Sequence, residues 1–314
     1  MSQSRDDYAP KHEKPSHFKD SHNIEPADPD TADHATRRGL PLVPESVKSD
    51  RLPDPFVTDE GRAVTVAGAG EAYLKVQRSN WQDGAHTSKY EYHKFEMYPR
   101  ILHADRHFRE QYAGLTTAML TRRLSPLDDS DGWLTPWECN EMLHGGGVHK
   151  SVRGALKYHL DHFEYEWIAV TAPTESAGTP HEHIYLWIDD PDDDVTADHV
   201  APALDKHLKH CTNAYEKHHR YRTDGTGEAI TVQHDPDLRK QSHDGVAKQV
   251  IRGNTPPCPN TAGAQYLASQ LAHLPVGDYY DSQQENPPQE LFEGAALAWV
   301  SPYNWFRASG GVPA

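Results

Sequence analysis

The chain has 314 residues, and its 47 acidic side chains outnumber its 31 lysines and arginines to give a formal net charge of −16. Only 36% of the residues are hydrophobic, and no apolar run reaches the roughly 18 residues that a transmembrane helix needs. The length suits one sizeable domain or two small ones, and the sequence predicts no transmembrane helix. Residues 1–7 contain no apolar segment, so we expect a cytoplasmic protein and not a secreted one.

The acidic excess is compatible with two kinds of protein. An ordinary acidic protein would avoid nucleic acid, whereas a protein of a salt-rich cytoplasm uses surface carboxylates to stay in solution. The acidic residues at 189–194 favour the second kind. In molar salt the Debye length is about 3 Å, so a negative overall charge does not exclude a DNA partner. Local contacts and base stacking would then carry the affinity for DNA.

The first 62 residues differ in composition from the rest of the chain. Residues 1–62 are rich in Asp, Pro, His, Ser and Lys, and their apolar residues are scattered without a period. This composition predicts a disordered polar N-terminal region. Apolar density rises after this region, so we expect residues 63–314 to form the folded part of the chain.

The cysteines and the histidines near them do not predict a zinc site. Cys139, Cys211 and Cys258 are far apart and odd in number, which argues against a disulfide framework and a Cys-x-x-Cys site. His207 and His210 occur at helical spacing beside Cys211, and we expect them to face solvent. Buried free thiols are the expected state of the cysteines.

Strands and helices alternate along the folded part without a regular βαβ rhythm. Strand-like patterns cover residues 90–98, 115–121, 167–171, 179–188 and 229–232. Helical patterns cover residues 104–112, 135–144, 196–218, 261–274 and part of 291–307. The third and fourth strands are expected to form an antiparallel hairpin with a long connection. Together these elements predict an α+β fold, in which a central antiparallel β-sheet is covered by helices.

The strand at 179–188 carries two histidines two positions apart, His181 and His183. On an extended chain, residues i and i+2 project from the same face, so both imidazoles can reach one divalent metal ion. The opposite face carries the aliphatic side chains of a buried core, Ile184, Leu186 and Ile188. Glu182 shares that face only at the first position of the strand, where we expect its carboxylate to reach solvent. The pattern predicts a metal-binding strand.

The helix at 261–274 presents one tyrosine beside its apolar stripe. The stripe consists of Ala264, Leu267, Ala268, Leu271 and Leu274. Tyr266 lies on the neighbouring flank with Gln270 and His273, where its hydroxyl could face an open site while its ring packs. A half-buried tyrosine that only fills a groove is the alternative. Because a phenol has a pKa of about 10, attack by Tyr266 would need a metal-polarised phosphate or a nearby base.

Basic side chains concentrate at two places in this acidic chain. Arg122 and Arg123 follow the threonine-rich strand, and Arg220 and Arg222 belong to the most basic run, residues 217–222. Contact with DNA phosphates is one interpretation of both clusters. Exposed charges on a solvated face are the other. All four arginines are therefore candidate DNA-binding residues.

Three segments in this order resemble the motifs of the HUH endonucleases, specifically the rolling-circle replication initiators of haloarchaeal plasmids and viruses. The segments are Thr116–Pro126 (TTAMLTRRLSP), Thr179–His183 (TPHEH) and Tyr266–Gln270 (YLASQ). A His-x-His pair alone is a weak signal in a chain with 22 histidines, whereas the order and spacing of all three segments are specific. The resemblance covers residues 110–307. Two features depart from the family pattern: Glu182 replaces a hydrophobic residue, and the lysine one turn after the tyrosine is absent.

The resemblance implies a site and a reaction. His181 and His183 would hold a divalent ion, Mg²⁺ or Mn²⁺, at the scissile phosphate. Tyr266 would attack phosphorus in single-stranded origin DNA, leaving a 5′-phosphotyrosine link and a free 3′-hydroxyl that primes synthesis. Residues 63–314 would form the nicking domain. Because the chain has no Gly-x-x-x-x-Gly-Lys-Ser/Thr motif, a host helicase would unwind the DNA for a host polymerase.

Three other functions remain open from the sequence. An HUH transposase or relaxase would share this chemistry and act on a different DNA substrate. A sequence-specific DNA-binding regulator would lack catalysis, and the two departures from the family pattern keep this interpretation open. A metal-dependent hydrolase of small phosphoesters would need no tyrosine on a helix.

Overall fold

A five-stranded antiparallel sheet forms the centre of the computed structural model, which describes residues 31–82, 96–127, 132–173, 178–222, 224–226, 229–239, 260–271 and 290–313. The strands of this sheet are β1 (Leu115–Arg122), β2 (Glu164–Pro173), β3 (Pro180–Asp189), β4 (Ile230–His234) and β7 (Phe306–Ala308). Their order across the sheet is β4-β1-β3-β2-β7, and each neighbouring pair is antiparallel. A separate antiparallel pair joins β5 (Leu238–Arg239) to β6 (Asn260–Thr261).

Helices cover both faces of the sheet. In chain order they are α1 (Thr31–Gly39), α2 (Val66–Gln82), α3 (Tyr98–Gln111), α4 (Pro136–His144), α5 (Val148–His159), α6 (Ala197–His210), α7 (Ala262–Leu271) and α8 (Glu290–Val300). Residues of α2, α3, α7 and α8 share one hydrophobic core with the sheet, and residues of α5 and α6 share a second core on its other face. The predicted α+β fold, with a helix-covered antiparallel sheet, is confirmed.

Strand β3 is buried on both faces because the sheet separates these two cores. Tyr185 and Trp187 point into the core that contains α3 and α7, whereas Ile184 and Ile188 point into the core that contains α5 and α6. The alternation follows from the pleat of an extended strand. The predicted antiparallel pairing of β2 with β3 is also confirmed.

Local sequence signals set the bounds of α4 and α5. The hydroxyl of Thr135 accepts a hydrogen bond from the Glu138 backbone N–H at 3.2 Å, and the Glu138 carboxylate accepts one from the Thr135 N–H at 2.8 Å. This capping box, with Pro136 in the first turn, starts α4 as the sequence predicts. Three glycines then separate the helices, and Gly147 has the left-handed φ of 76° at the start of α5.

Residues 31–62 pack onto the rest of the domain, which corrects the predicted disorder for this part of the N-terminal region. Leu42 and Phe56 are fully buried, and Phe56 lies edge-on to Trp299 of α8 with a ring-centroid distance of 5.5 Å. Sequence periodicity does not reveal this packing, because the segment is mostly irregular and its few apolar side chains are buried by distant parts of the chain. Residues 1–30 lie outside the described residues.

Two further predicted elements differ from the structure. The predicted strand at 90–98 is wrong at its end, since Tyr98 begins α3 and Pro99 suits the first turn of a helix; residues 90–95 lie outside the described residues. The helix predicted to reach residue 218 ends at His210. Within the described part of the chain, no helix combines the length and the apolar character needed to cross a membrane.

We expect Phe56→Ala to lower the free energy of unfolding by about 3–5 kcal/mol, because it removes a fully buried ring from the core. Urea unfolding at constant KCl, followed by circular dichroism, measures this change. Glu60→Ala changes an exposed position of the same segment and serves as the control, with an expected effect below about 0.5 kcal/mol. Equal stability of Phe56→Ala and wild type would contradict the packing described for residues 31–62.

Candidate active site

Two histidines of one strand and a tyrosine 83 positions further along the chain meet at one end of the sheet. His181 and His183 extend from the same face of β3, and their Nε2 atoms are 2.9 Å apart. The hydroxyl of Tyr266, on α7, lies 3.3 Å from His183 Nε2. The structure therefore brings together the three residues that the sequence suggests as metal ligands and nucleophile.

The chemistry of the two histidines fits a divalent ion. Two ligands about 2.1 Å from an octahedral ion, at right angles to each other, are about 3 Å apart. The separation of 2.9 Å between the Nε2 atoms of His181 and His183 is close to this value. Two imidazoles would leave coordination positions for water and phosphate oxygens, the ligands that Mg²⁺ and Mn²⁺ prefer. Among the described residues, no carboxylate forms a three-membered ligand group with this pair.

A hydroxyl on the neighbouring strand orients His183. Thr121 of β1 lies opposite His183 of β3, and its Oγ1 atom is 3.0 Å from His183 Nδ1. A neutral histidine can bind a metal through Nε2 only when its proton is on Nδ1, so with a metal bound the Nδ1–H would donate to the Thr121 hydroxyl. Both groups are almost fully buried, with exposures of 2% for His183 and 5% for Thr121. The threonine-rich strand thus supplies the partner that fixes this ring.

The surroundings of Tyr266 keep its hydroxyl protonated at neutral pH. Burial raises the pKa of Tyr266, and the nearby positive charge of Arg123 opposes that rise. The ring of Tyr266 stands nearly perpendicular to that of His183, with centroids 5.1 Å apart. The phenol is therefore positioned beside the histidine pair, and Arg123 is the cation that favours its deprotonated form.

Hydrogen bonds through Asp105 hold the start of α7 against β3, the strand that carries the histidines. Asp105 of α3 accepts hydrogen bonds from the Trp187 indole at 3.0 Å and from the Thr261 hydroxyl and N–H at 2.6 and 2.8 Å. Gly263 then allows α7 to approach β3, because a Cβ at this position would lie 2.5 Å from the ring of Tyr185. These contacts hold Tyr266 at the histidines. No sequence signal distinguishes Asp105 from Glu110, the other acidic residue of its helix.

Glu182 is fully buried, which corrects the expectation that its carboxylate reaches solvent. It forms ion pairs with the guanidinium groups of Arg122 and Arg307, and Arg122 Nε donates to it at 2.8 Å. Burial alone would raise the pKa of Glu182, but the two guanidinium groups hold it well below its usual range. Beside this cluster, burial lowers the pKa of His144 to about 3, so its Nδ1 can accept a hydrogen bond from Arg307 at 2.9 Å.

The same cluster corrects the assignment of Arg122 as a DNA-binding residue. Arg122 lies opposite Glu182 in the register of β1 and β3, on the face of the sheet away from the histidines. Its side chain is fully buried and also donates to the Leu143 carbonyl at 3.4 Å. A phosphate could reach it only by breaking a buried ion pair, a change that typically costs about 3–5 kcal/mol. Arg122 is a structural residue in this fold.

Arg123 has an exposed side chain and a firmly held backbone. His219 Nε2 accepts a hydrogen bond from the Arg123 N–H at 3.0 Å, and His207 Nε2 donates to the Arg123 carbonyl at 2.8 Å. Both histidines are buried, so the expectation that His207 faces solvent is wrong. Burial lowers the pKa of both, which keeps His219 neutral and able to accept this bond. The sequence gives no indication that this pair positions Arg123.

The remaining candidate DNA-binding residues, Arg220 and Arg222, lie on an exposed segment that follows α6. Arg222 forms a surface ion pair with Asp224 at 3.3 Å, and both side chains are 52% exposed. Such a pair contributes little to stability and can be exchanged for another anion. Both arginines are therefore accessible to a phosphate.

A second group of potential metal ligands lies at the opposite end of β3. Among the described residues, Asp190, Asp193 and His234 have ligand atoms within 4.8 Å of one another. Asp190 already accepts hydrogen bonds from the Thr116 hydroxyl at 2.9 Å and from the Val195 N–H at 3.0 Å. Its carboxylate therefore has a structural role in the turn after β3, and the group is an acidic cluster without further sign of an ion.

The sequence matches a known protein family. Residues 84–314 match the family described as "Putative rep protein (DUF1424)". The chain belongs to this family. A relative from Halobacterium sp. (strain GN101), described as "Uncharacterized 36 kDa protein", is 26% identical over 224 residues. The aligned part covers 69% of this chain and 60% of the relative, so this chain spans less than two thirds of the relative's length. No solved structure matches the chain.

Membership of this Rep family supports a role in replication initiation, and the organism of the relative agrees with the halophilic character of the composition. The matched residues include the whole of β1, β3 and α7, which carry the histidines, the tyrosine and Thr121. The site therefore lies within the part of the chain that defines the family.

We expect Thr121→Val to weaken binding of Mn²⁺ by about 10–100-fold, because His183 loses the partner that orients its ring. Isothermal titration calorimetry with the full chain measures the affinity. Thr117→Val is a matched control on the same strand, since it removes a hydroxyl that hydrogen-bonds Tyr185 and leaves His183 unchanged. If both variants bound Mn²⁺ as wild type does, the orienting role of Thr121 would be wrong.

We expect Glu182→Gln to lower the free energy of unfolding by about 3–5 kcal/mol at neutral pH, because two guanidinium groups lose their buried counter-ion. The folded-state pKa of Glu182 is depressed, so its contribution is present above about pH 4.5, the ordinary value, and is lost as pH falls further. In urea unfolding experiments, the difference in free energy of unfolding between wild type and Glu182→Gln should therefore become smaller below that pH. Glu164→Gln, at an exposed position of β2, is the control. A difference in free energy of unfolding between wild type and Glu182→Gln that stays constant down to pH 3 would argue against this electrostatic origin.

Proposed function

We propose that the protein is a rolling-circle replication initiator of the HUH type, which nicks single-stranded origin DNA and becomes linked to it through Tyr266. One observation carries this proposal: the Tyr266 hydroxyl lies 3.3 Å from the Nε2 atom of His183, within a pair of histidines spaced for one divalent ion. Membership of the Rep family supports a replication role. A groove-filling tyrosine would not need its hydroxyl at the histidine pair.

Tyr266 carries the chemistry in this proposal. Its hydroxyl oxygen attacks the phosphorus of the scissile phosphodiester, and the bond from phosphorus to the 3′ oxygen of the preceding nucleotide breaks. The phenol loses its proton, and the leaving 3′ oxygen gains one. The products are a 5′-phosphotyrosine link and a free 3′-hydroxyl, which can later attack the link to join strands.

The residues around Tyr266 divide the remaining tasks. His181 and His183 would hold Mg²⁺ or Mn²⁺, and such an ion, when bound, polarises the phosphate. Thr121 keeps the His183 ring in the orientation that presents Nε2. Arg123, whose charge favours the deprotonated phenol, would stabilise negative charge on the attacking oxygen and on the phosphate.

The DNA partner and the host proteins follow from this chemistry. The exposed arginines Arg123, Arg220 and Arg222 would contact phosphates of the single strand. The free 3′-hydroxyl would serve a host polymerase. Since the sequence contains no Gly-x-x-x-x-Gly-Lys-Ser/Thr motif, a host helicase would separate the strands, and the reaction would take place in the cytoplasm.

The proposal predicts that wild-type protein forms a covalent adduct with single-stranded DNA from the element that encodes it, in Mn²⁺ and molar KCl. Tyr266→Phe should abolish the adduct on a denaturing gel and still bind the DNA, because only the attacking oxygen is lost. His181→Ala should reduce adduct formation by at least about 100-fold, the scale of losing one electrostatic stabiliser of a transition state.

Tyr158→Phe is the matched control, because Tyr158 is 74% exposed on α5, which covers the face of the sheet opposite the histidines. Adducts that persist in Tyr266→Phe would exclude Tyr266 as the nucleophile. Metal-dependent cleavage that is independent of any tyrosine would favour a hydrolase. DNA binding by wild type without any adduct would favour a non-catalytic regulator.

A further inference from the structure

The segment that follows α6, residues 215–222, combines exposed aromatic rings with basic side chains. Tyr215 and Tyr221 are each 37% exposed, unlike most large hydrophobic side chains of the described residues. Lys217, Arg220 and Arg222 lie in the same segment and are exposed. In a chain with a net charge of −16, such a local concentration of cations and rings calls for a functional explanation.

Residues 215–222 are hydrogen-bonded to Arg123, whose charge acts on the proposed nucleophile Tyr266. His219, in the middle of the segment, accepts a hydrogen bond from the Arg123 N–H at 3.0 Å, and its Nδ1 donates to the Tyr215 carbonyl at 2.8 Å. Arg123 follows Thr121, the partner of His183, by two positions. The charge of Arg123 also acts on both Tyr266 and His218. His219, which is neutral and buried, therefore links residues 215–222 to Arg123 at the edge of the candidate active site.

The ring of Tyr215 is already paired with a cation. The Lys217 ammonium lies 5.6 Å from the centroid of the Tyr215 ring, and the His218 ring stands perpendicular to it at 6.1 Å. A flat aromatic surface beside an ammonium group matches a nucleotide, which presents a flat base and a phosphate a few ångströms apart. Unpaired bases expose such faces, whereas bases in a duplex are stacked on one another.

We infer that Tyr215 and Tyr221 stack on unpaired bases of single-stranded DNA, and that this stacking maintains DNA binding at high salt. Phosphate contacts by Lys217, Arg220 and Arg222 weaken as salt rises, since their strength comes from counterion release. Stacking on an aromatic ring releases no counterions and keeps its strength. The inference deepens the proposed function by naming the surface that holds the strand beside Tyr266.

Fluorescence anisotropy of a labelled oligo-dT with the full chain, without divalent metal, tests the inference at KCl concentrations from about 0.5 to 3 M. Tyr215→Ala should weaken binding by about ten-fold or more across the whole range, because each base–ring stack contributes on the order of 1–3 kcal/mol. Tyr215→Trp should retain the affinity of wild type, since it keeps a stacking surface. Tyr221→Ala is expected to behave like Tyr215→Ala.

Two comparisons separate stacking from charge and from general surface effects. Arg220→Ala should weaken binding clearly at the lowest KCl concentration and progressively less as the concentration rises. Tyr158→Ala removes the more exposed Tyr158 from α5 and should leave binding unchanged. Circular dichroism at each salt concentration confirms that every variant is folded.

The inference is overturned if Tyr215→Ala binds as tightly as Tyr158→Ala, or if its defect disappears at high KCl as that of Arg220→Ala should. Equal affinity of wild type for the single strand and for a duplex of the same length would also overturn it. Because no metal is present, these results do not depend on nicking. DNA binding that depends on Tyr215 and Tyr221, without any covalent adduct, would argue against the proposed nicking and still support this surface as the DNA-binding site.

Discussion

The antiparallel register between β1 and β3 places Thr121 opposite His183 and Arg122 opposite Glu182. These two neighbouring rows lie on opposite faces of the sheet, because successive side chains of a strand alternate. On one face the threonine orients a histidine toward Tyr266. On the other face the ion pair between Arg122 and Glu182 joins the same two strands one residue further along. A shift of one residue in this register would exchange the two faces and remove both arrangements.

Charge acts on two length scales in this protein. Across the whole molecule, the excess of carboxylates suits a salt-rich environment, in which screening shortens the range of the field to a few ångströms, about 3 Å in molar salt. At contact distance, screening matters less, so buried Glu182 still depends on its two guanidinium partners. Arg123 can likewise act on Tyr266 although the overall charge is negative. The proposed binding of single-stranded DNA is therefore compatible with a negative overall charge.

The sequence predicts the parts of the site that depend on local periodicity. Alternation along β3 places both histidines on one face, and helical spacing places Tyr266 beside an apolar stripe. The burial of Glu182 depends instead on Arg307, which comes from the end of the chain and lies on β7. Likewise, the packing of residues 31–62 and the anchoring of α7 by Asp105 arise from contacts between distant segments. No local pattern encodes such contacts, since the residues that form each contact lie far apart in the sequence.

In the proposed reaction, one tyrosine, held at the histidine pair, becomes covalently linked to DNA. Mass spectrometry of the protein after incubation with origin DNA and Mn²⁺, followed by nuclease and protease digestion, identifies the modified residue directly. We expect a nucleotide attached through phosphate to Tyr266 and to no other tyrosine. A nucleotide on Tyr279 or Tyr280, the neighbouring tyrosines of the sequence, would contradict the assignment of Tyr266 as the nucleophile.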